Sequence, residues 1–134
     1  MSTMPTLFTR IINREVPGKF VYEDEAAVAF LSINPIAPGH TLVVPRLEVD
    51  QWTDAPDDVL QHLTVVAKKI GEAAKDAFGA PRAGLIIAGL EIPHLHVHVF
   101  PVWSLGDFNF AKAKPATDAE LDEAAAKLRA ALDS

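Results

Sequence analysis

The chain has 134 residues, 49% of them hydrophobic and 22% charged, the proportions of one globular domain and not of a disordered segment. Twelve Lys and Arg against eighteen Asp and Glu give a net charge of −6, which argues against a nucleic-acid coat or a binder of anionic membranes. No cysteine is present, so disulfides and Cys-based zinc or iron–sulfur sites are excluded.

No apolar run approaches the roughly 18–20 residues that cross a bilayer. The opening MSTMPTLFTR lacks an apolar signal core, so a soluble, cytoplasmic protein is expected. Residues 5–14 have helix-like spacing, with Leu7, Phe8, Ile11 and Ile12 on one side, and Val16-Pro17-Gly18 ends the segment. Phe20-Val21-Tyr22 and Ala27 to Ile33 read as strands around the acidic turn Glu23-Asp24-Glu25. Asn34-Pro35 and Pro38-Gly39 make a rigid loop, after which Thr41 to Val44 form a buried strand stopped by Pro45.

From Pro56 to Phe78, Val59, Leu63, Val66, Ile70, Ala73 and Ala77 recur at helical spacing. Asp57 and Asp58 sit in the first turn, where the helix dipole favours negative charge, and Gly79 and Pro81 mark the end. His62 lies on this helix between Gln61 and Leu63 and reads as a surface residue. Gly84 to Ala88 and His94 to Phe100 are further strands. Thr117-Asp118-Ala119-Glu120 is a capping box before a last amphipathic helix carrying Leu121, Leu128 and Leu132. Strands gathered around one long helix predict an α+β domain with a mainly antiparallel sheet.

The informative segment is Ile92-Pro93-His94-Leu95-His96-Val97-His98-Val99-Phe100-Pro101. On a strand the side-chain period is two, so His94, His96 and His98 share one face while Leu95, Val97 and Val99 face the core. Three readings fit this row. It can be a solvated strand face that happens to carry histidine. It can hold zinc, as three protein ligands with water often do. It can be a site for nucleophilic catalysis at phosphorus, because neutral imidazole is available near pH 7 and a neighbouring ring can stabilise phosphate oxygens. His40, placed after Pro38-Gly39 at the start of a strand, is a fourth candidate, although a single histidine beside a turn reads by itself as structural.

At these residues the sequence resembles the histidine triad (HIT) superfamily, whose signature is His-φ-His-φ-His-φ-φ with φ apolar. His94-Leu95-His96-Val97-His98-Val99-Phe100 matches it completely. Leu7 to Ile12, Glu15-Val16-Pro17, Tyr22-Glu23-Asp24 and Ala29-Phe30 look like the opening of its bacterial Hint-like nucleoside-phosphoramidase branch. Ile33 to Pro45 resembles the family's central loop and strand. The resemblance implies a HIT fold over residues 5–108, a C-terminal extension with an amphipathic helix over 109–134, and a homodimer joining two sheets. It implies a hydrolase or transferase that acts at the α-phosphorus of nucleoside 5′-phosphoramidates or related AMP conjugates, with purine preferred and no cofactor.

Residue by residue, the resemblance makes His96 the nucleophile, with its other ring nitrogen held by a backbone carbonyl. His98 and His40 stabilise the phosphate, and His94 supports the geometry from behind. Phe8, Ile11, Val16, Phe30 and Ile33 line the base pocket. Ser32, Asn34, Gly89 and Glu91 complete the expected substrate contacts. The rival enzyme is a dinucleoside polyphosphate hydrolase of the fragile-histidine-triad branch, towards which Phe100-Pro101 and Gly106-Asp107-Phe108 lean. The rival of another class is a purine-nucleotide-binding or adaptor protein without turnover.

The sequence departs from the family in three places. Ser32 stands where relatives commonly have an Asp that holds the ribose hydroxyls; a serine offers one hydroxyl and no charge. Thr9 and Glu48 fall where some bacterial relatives place zinc ligands, so no zinc is expected there. Leu90-Glu91 replaces a glutamine and a hydroxyl residue before the triad. A carboxylate there repels a polyphosphate and suits a cationic leaving group. Alternatively, Glu91 faces solvent or pairs with a nearby Arg or Lys.

Overall fold

The computed structural model describes residues 4–133. The chain forms α1 (Leu7–Ile12), β1 (Phe20–Glu23), β2 (Ala27–Leu31), β3 (Thr41–Pro45), α2 (Asp57–Phe78), β4 (Arg82–Ile86), β5 (Val97–Val102) and α3 (Asp118–Leu132), with short 3₁₀ turns before α2 and after β5. The strands make one five-stranded sheet in the order β1-β2-β3-β5-β4, and every neighbouring pair is antiparallel. This is the expected α+β class.

Alternation along the strands gives the sheet two different faces. Ala27, Ala29 and Leu31 of β2, Val43 of β3 and Val97 and Val99 of β5 pack with Leu63, Val66 and Ile70 of α2. Leu121, Ala124, Ala125 and Leu128 of α3 complete that main core. Val28, Phe30, Leu42 and Val44 point the other way and pack with Phe8, Ile11 and Ile12 of α1. The short α1 covers only part of this second face, which leaves room for a cavity.

Local chemistry explains the ends of the elements. The Thr6 side chain caps α1 by accepting from the Thr9 N–H. Gly79 ends α2 in the left-handed region at φ 64°, a conformation glycine adopts without a Cβ penalty. At α3 the Thr117 hydroxyl accepts from the Glu120 N–H at 3.1 Å, and the Glu120 carboxylate accepts from the Thr117 N–H at 2.9 Å. Lys19 ties the start of β1 to α3 through Asp118 at 2.9 Å and Asp122 at 2.8 Å. The Arg129 guanidinium donates to the Phe20 carbonyl.

The turn between β1 and β2 revises the reading of His62. Asp24 Oδ1 accepts from the N–H groups of Ala26 and Ala27 at 2.8 and 2.7 Å. Its Oδ2 accepts from the Tyr22 hydroxyl at 2.7 Å and lies 2.7 Å from His62 Nε2. His62 is therefore no free surface residue: it is half-buried and clamps α2 to the β-turn. Burial acts to raise the Asp24 pKa, but the bonds from Tyr22, Ala26, Ala27 and His62 outweigh it and hold the carboxyl far below its ordinary value. The same bond pushes the Tyr22 phenol up to about 12.

Three strand boundaries also differ from the expected ones. β2 stops at Leu31 because the Ser32 N–H bonds the His40 carbonyl and the chain turns away; Ile33 is 68% exposed. β4 covers Arg82–Ile86 and not 84–88. β5 begins at Val97, so His94 and His96 lie just ahead of the ladder. Pro45, at the end of β3, has no N–H to offer, and its carbonyl accepts from the His94 ring at 2.8 Å. The pairing ends there, yet the alternation persists: Leu95 joins the main core while His94 and His96 face the other way.

Candidate functional site

The second face of the sheet holds a cavity of about 720 Å³. His96 and His98 come to it from β5 and the segment before it, and His40 from the start of β3. Register puts His98 beside Leu42 on one side and Ile86 on the other. The ring centroids of His96 and His98 are 5.0 Å apart, and those of His40 and His98 are 5.2 Å apart. His94 is fully buried behind them and does not line the cavity. Gly39, at φ 87°, aims His40, and a Cβ there would collide with the Phe78 ring.

The backbone decides where the ring protons sit. A carbonyl can only accept and an N–H can only donate. His96 Nδ1 lies 2.8 Å from the His94 carbonyl, so Nδ1 carries the proton and neutral His96 keeps its lone pair on Nε2. The Ile36 N–H donates to His40 Nδ1 at 3.0 Å, so the His40 proton is on Nε2. That nitrogen lies 2.9 Å from His98 Nδ1, which must accept, and the His98 proton is left on Nε2. Among the described residues no side-chain nitrogen or oxygen is buried without a partner. The Nε2 atoms of His96 and His98, which have no protein partner, are therefore open to the cavity. One offers a lone pair and the other a proton.

Burial favours the neutral form of His40, His98 and His94. Desolvation, helped by His96, lowers His40 from 6.5 to about 4. Desolvation, then His40 and His96, lowers His98 to about 3. His94 is also lowered, with burial outweighing the Pro45 carbonyl and the Glu48 charge. Geometry agrees. A further proton on the His40–His98 pair would set two hydrogens face to face between the rings or oppose the Ile36 N–H.

One end of the cavity is apolar. Phe8, Ile11, Val16 and Phe30 line it, and the Phe8 ring meets Phe30 edge-on at 5.5 Å and His96 at 4.9 Å. Ile33 lines the rim. Ser32 and Asn34 stand on the same wall; the Ser32 oxygen accepts from the Asn34 N–H at 3.3 Å, so its own proton remains free to donate. Gly89 and Glu91 also line the cavity. No Arg, Lys or His among the described residues pairs with Glu91, whose side chain is exposed. The one lysine on the wall, Lys19, is held by Asp118 and Asp122.

Several wall residues carry no sequence signal of a site. Phe110 packs edge-on against His98 at 4.9 Å, and Ala113, Asp118 and Leu121 reach the cavity from the C-terminal segment. They belong to a stretch whose only pattern is that of a capped helix. Thr9 and Glu48 are joined by a 2.7 Å hydrogen bond. Among the described residues no group of three or more His, Cys, Asp or Glu is placed to hold a metal ion.

Residues 13–104 match the HIT domain family. An uncharacterized HIT-like protein of Methanocaldococcus jannaschii is 39% identical over 121 residues, covering 87% of this chain and 93% of the relative. A hypothetical histidine triad nucleotide-binding protein of Sulfolobus tokodaii strain7 superposes with a TM-score of 0.83 at 34% identity, covering 94% of this chain and 91% of that one. A zinc-bound histidine triad family protein of Mycobacterium smegmatis superposes at 0.85 with 29% identity, covering 98% and 96%.

The low pKa values of His40 and His98 make stability depend on pH. Both lie below the unfolded value of 6.5, so the unfolded chain takes up protons first as pH falls. Their contribution is complete above pH 6.5 and is lost between 6.5 and about 3. Urea midpoints measured from pH 7.5 downwards should fall less steeply in a His40→Gln/His98→Gln variant than in the wild type. Parallel profiles would show that the pair is not neutral by burial.

Proposed function

The chain belongs to the HIT family, and from that membership and the arrangement of its rings we propose that it hydrolyses a nucleoside 5′-phosphoramidate or related AMP conjugate. The observation that carries the reading is the fixed pair of Nε2 atoms. The backbone leaves His96 a lone pair and His98 a proton, side by side on one cavity wall.

In the proposed reaction the base enters between Phe8, Ile11, Val16 and Phe30, and Ser32 donates to a ribose hydroxyl. His96 Nε2 attacks the α-phosphorus. A phosphorus–nitrogen bond forms to His96 while the bond to the leaving amine breaks, and the amine takes its proton from water at the open mouth. The His98 Nε2–H, backed by His40, donates to a phosphoryl oxygen and stabilises its developing charge. Water then attacks phosphorus, releases its proton to solvent, and the bonding pair returns to His96 Nε2. Splitting the substitution in two lowers each barrier.

The charges on the wall favour this substrate over a dinucleoside polyphosphate. Glu91 brings to the cavity a carboxylate that pairs with no Arg, Lys or His among the described residues, and Lys19, the one lysine among the described lining residues, is neutralised by two aspartates. A chain of phosphates finds no free cation there, whereas an amine does not need one.

A homodimer fits the sheet edges. The β1 edge is covered at Phe20 by Arg129. Among the described residues no strand lies on the outer side of β4, and Leu85 on it is 50% exposed. An open edge with an apolar residue is a template for a second copy.

Adenosine 5′-phosphoramidate carrying a fluorescent amine, assayed with chelator present, should be turned over by the wild type and about 10³-fold or more slowly by His96→Ala. Turnover retained by the variant would remove His96 as nucleophile. AMP binding without turnover of this or a polyphosphate substrate would leave a binding protein. Glu91→Thr should raise the polyphosphate-to-phosphoramidate rate ratio about three- to tenfold; an unchanged ratio would clear Glu91 of any selective role. In sedimentation, the wild type should run as a dimer and Leu85→Glu as a monomer. A monomeric wild type at micromolar concentration would count against the β4 edge.

A further inference from the structure

Behind His94 lies a hydrogen-bonded cluster that the reaction above does not use. The Thr6 hydroxyl is 2.7 Å from His94 Nδ1 and accepts from the Thr9 N–H at 3.1 Å. The Thr9 hydroxyl donates to Glu48 Oε1 at 2.7 Å, and the same oxygen accepts from the Thr6 N–H at 2.9 Å. Glu48 thereby pins both threonines at the head of α1.

The Pro45 carbonyl, 2.8 Å from His94 Nε2, requires the ring proton on that nitrogen. Nδ1 of a neutral His94 is then an acceptor, and the near donor is the Thr6 hydroxyl, whose single proton has two acceptors in reach: His94 Nδ1 at 2.7 Å and Thr9 Oγ1 at 3.2 Å. The shorter contact to a buried nitrogen with no other donor takes it, since the Thr9 hydroxyl stands at 3.4 Å and is committed to Glu48. His94 is wholly buried, so losing that donor leaves a buried acceptor unsatisfied, or moves the proton to Nδ1 and sacrifices the Pro45 bond. Either change disturbs the residue whose carbonyl holds His96 Nδ1 at 2.8 Å. α1 also carries Phe8, whose ring meets both His94 at 5.9 Å and His96 at 4.9 Å.

We propose that Thr6, held by Thr9 and Glu48, is a positioning residue for the nucleophile: its hydroxyl fixes the tautomer of His94, and through the His94 carbonyl it fixes the orientation of His96. The inference rests on the reading of His96 as nucleophile. It also makes a claim about proton positions that stands whether or not the substrate is the right one.

Three variants separate the hydroxyl from the helix cap. Thr6→Ser keeps both donor and cap. Thr6→Val keeps the shape and loses both. Thr6→Asp keeps an acceptor for the Thr9 N–H and offers no proton to His94. Imidazole ¹⁵N NMR on the full chain reads the tautomers, and phosphoramidate kinetics read kcat and KM separately.

The wild type and Thr6→Ser should show His94 protonated on Nε2 and His96 on Nδ1, with equal kcat. Thr6→Asp should move the His94 proton to Nδ1 or add a second one, lower kcat about 10- to 100-fold with a smaller change in KM, and shift the acid limb of the kcat profile to higher pH. Thr6→Val should lose kcat likewise; if it fails to fold, the serine and aspartate variants decide alone. The proposal falls if wild-type His94 is protonated on Nδ1, if Thr6→Asp keeps wild-type tautomers and kcat, or if Thr6→Ser loses as much kcat as Thr6→Asp. If no substrate is turned over, the spectra still test the Thr6–His94 link, and the failure belongs to the reading of the reaction.

Discussion

Two main-chain groups govern the site: the carbonyl of His94 and the N–H of Ile36. Neither can change its role as donor or acceptor. The first obliges His96 to hold its proton on Nδ1, and the second starts a relay through His40 that leaves the His98 proton on Nε2. Imidazole is adaptable because it can carry its proton on either nitrogen. Here the backbone removes that freedom, so two chemically identical side chains, 5.0 Å apart, present opposite characters to the same cavity.

The fold makes this possible by treating the two sheet faces unequally. One face is sealed by a 22-residue helix and a 15-residue helix. The other carries a six-residue helix, too short to cover it. The main core can be packed tightly by α2 and α3, so the histidine-bearing segment is rigid where Leu95, Val97 and Val99 are anchored. The opposite sides of the same residues' neighbours, His96 and His98, are left facing space. Rigidity and access come from one alternation of side chains.

Much of this was legible beforehand. The period of two from His94 to Phe100 separated the histidine rings from core residues, and Asp57-Asp58 with Gly79 bounded the long helix. The triad motif pointed to the fold and the cavity wall. What escaped is long-range. Thr6 signals a helix cap and nothing in its neighbourhood announces His94, 88 residues away. His62 looked like a surface residue because its partner, Asp24, belongs to a turn 38 positions earlier. The strand start at Val97 depended on Pro45 giving its carbonyl to a side chain, which no local pattern encodes. Phe110 reaches His98 from a segment without periodicity.

The cavity wall draws on both ends of the chain: Leu7 and Phe8 on one side, Phe110, Asp118 and Leu121 on another. The bond between Arg129 and Phe20 spans 109 positions. Such contacts raise contact order and tend to form late, after the costly closure of long loops. In a chain emerging from the ribosome the histidines precede α3, whose Asp118 and Leu121 complete the cavity wall. The wall is complete only when both ends of the chain are in place, so an intact cavity reports that the whole domain has formed.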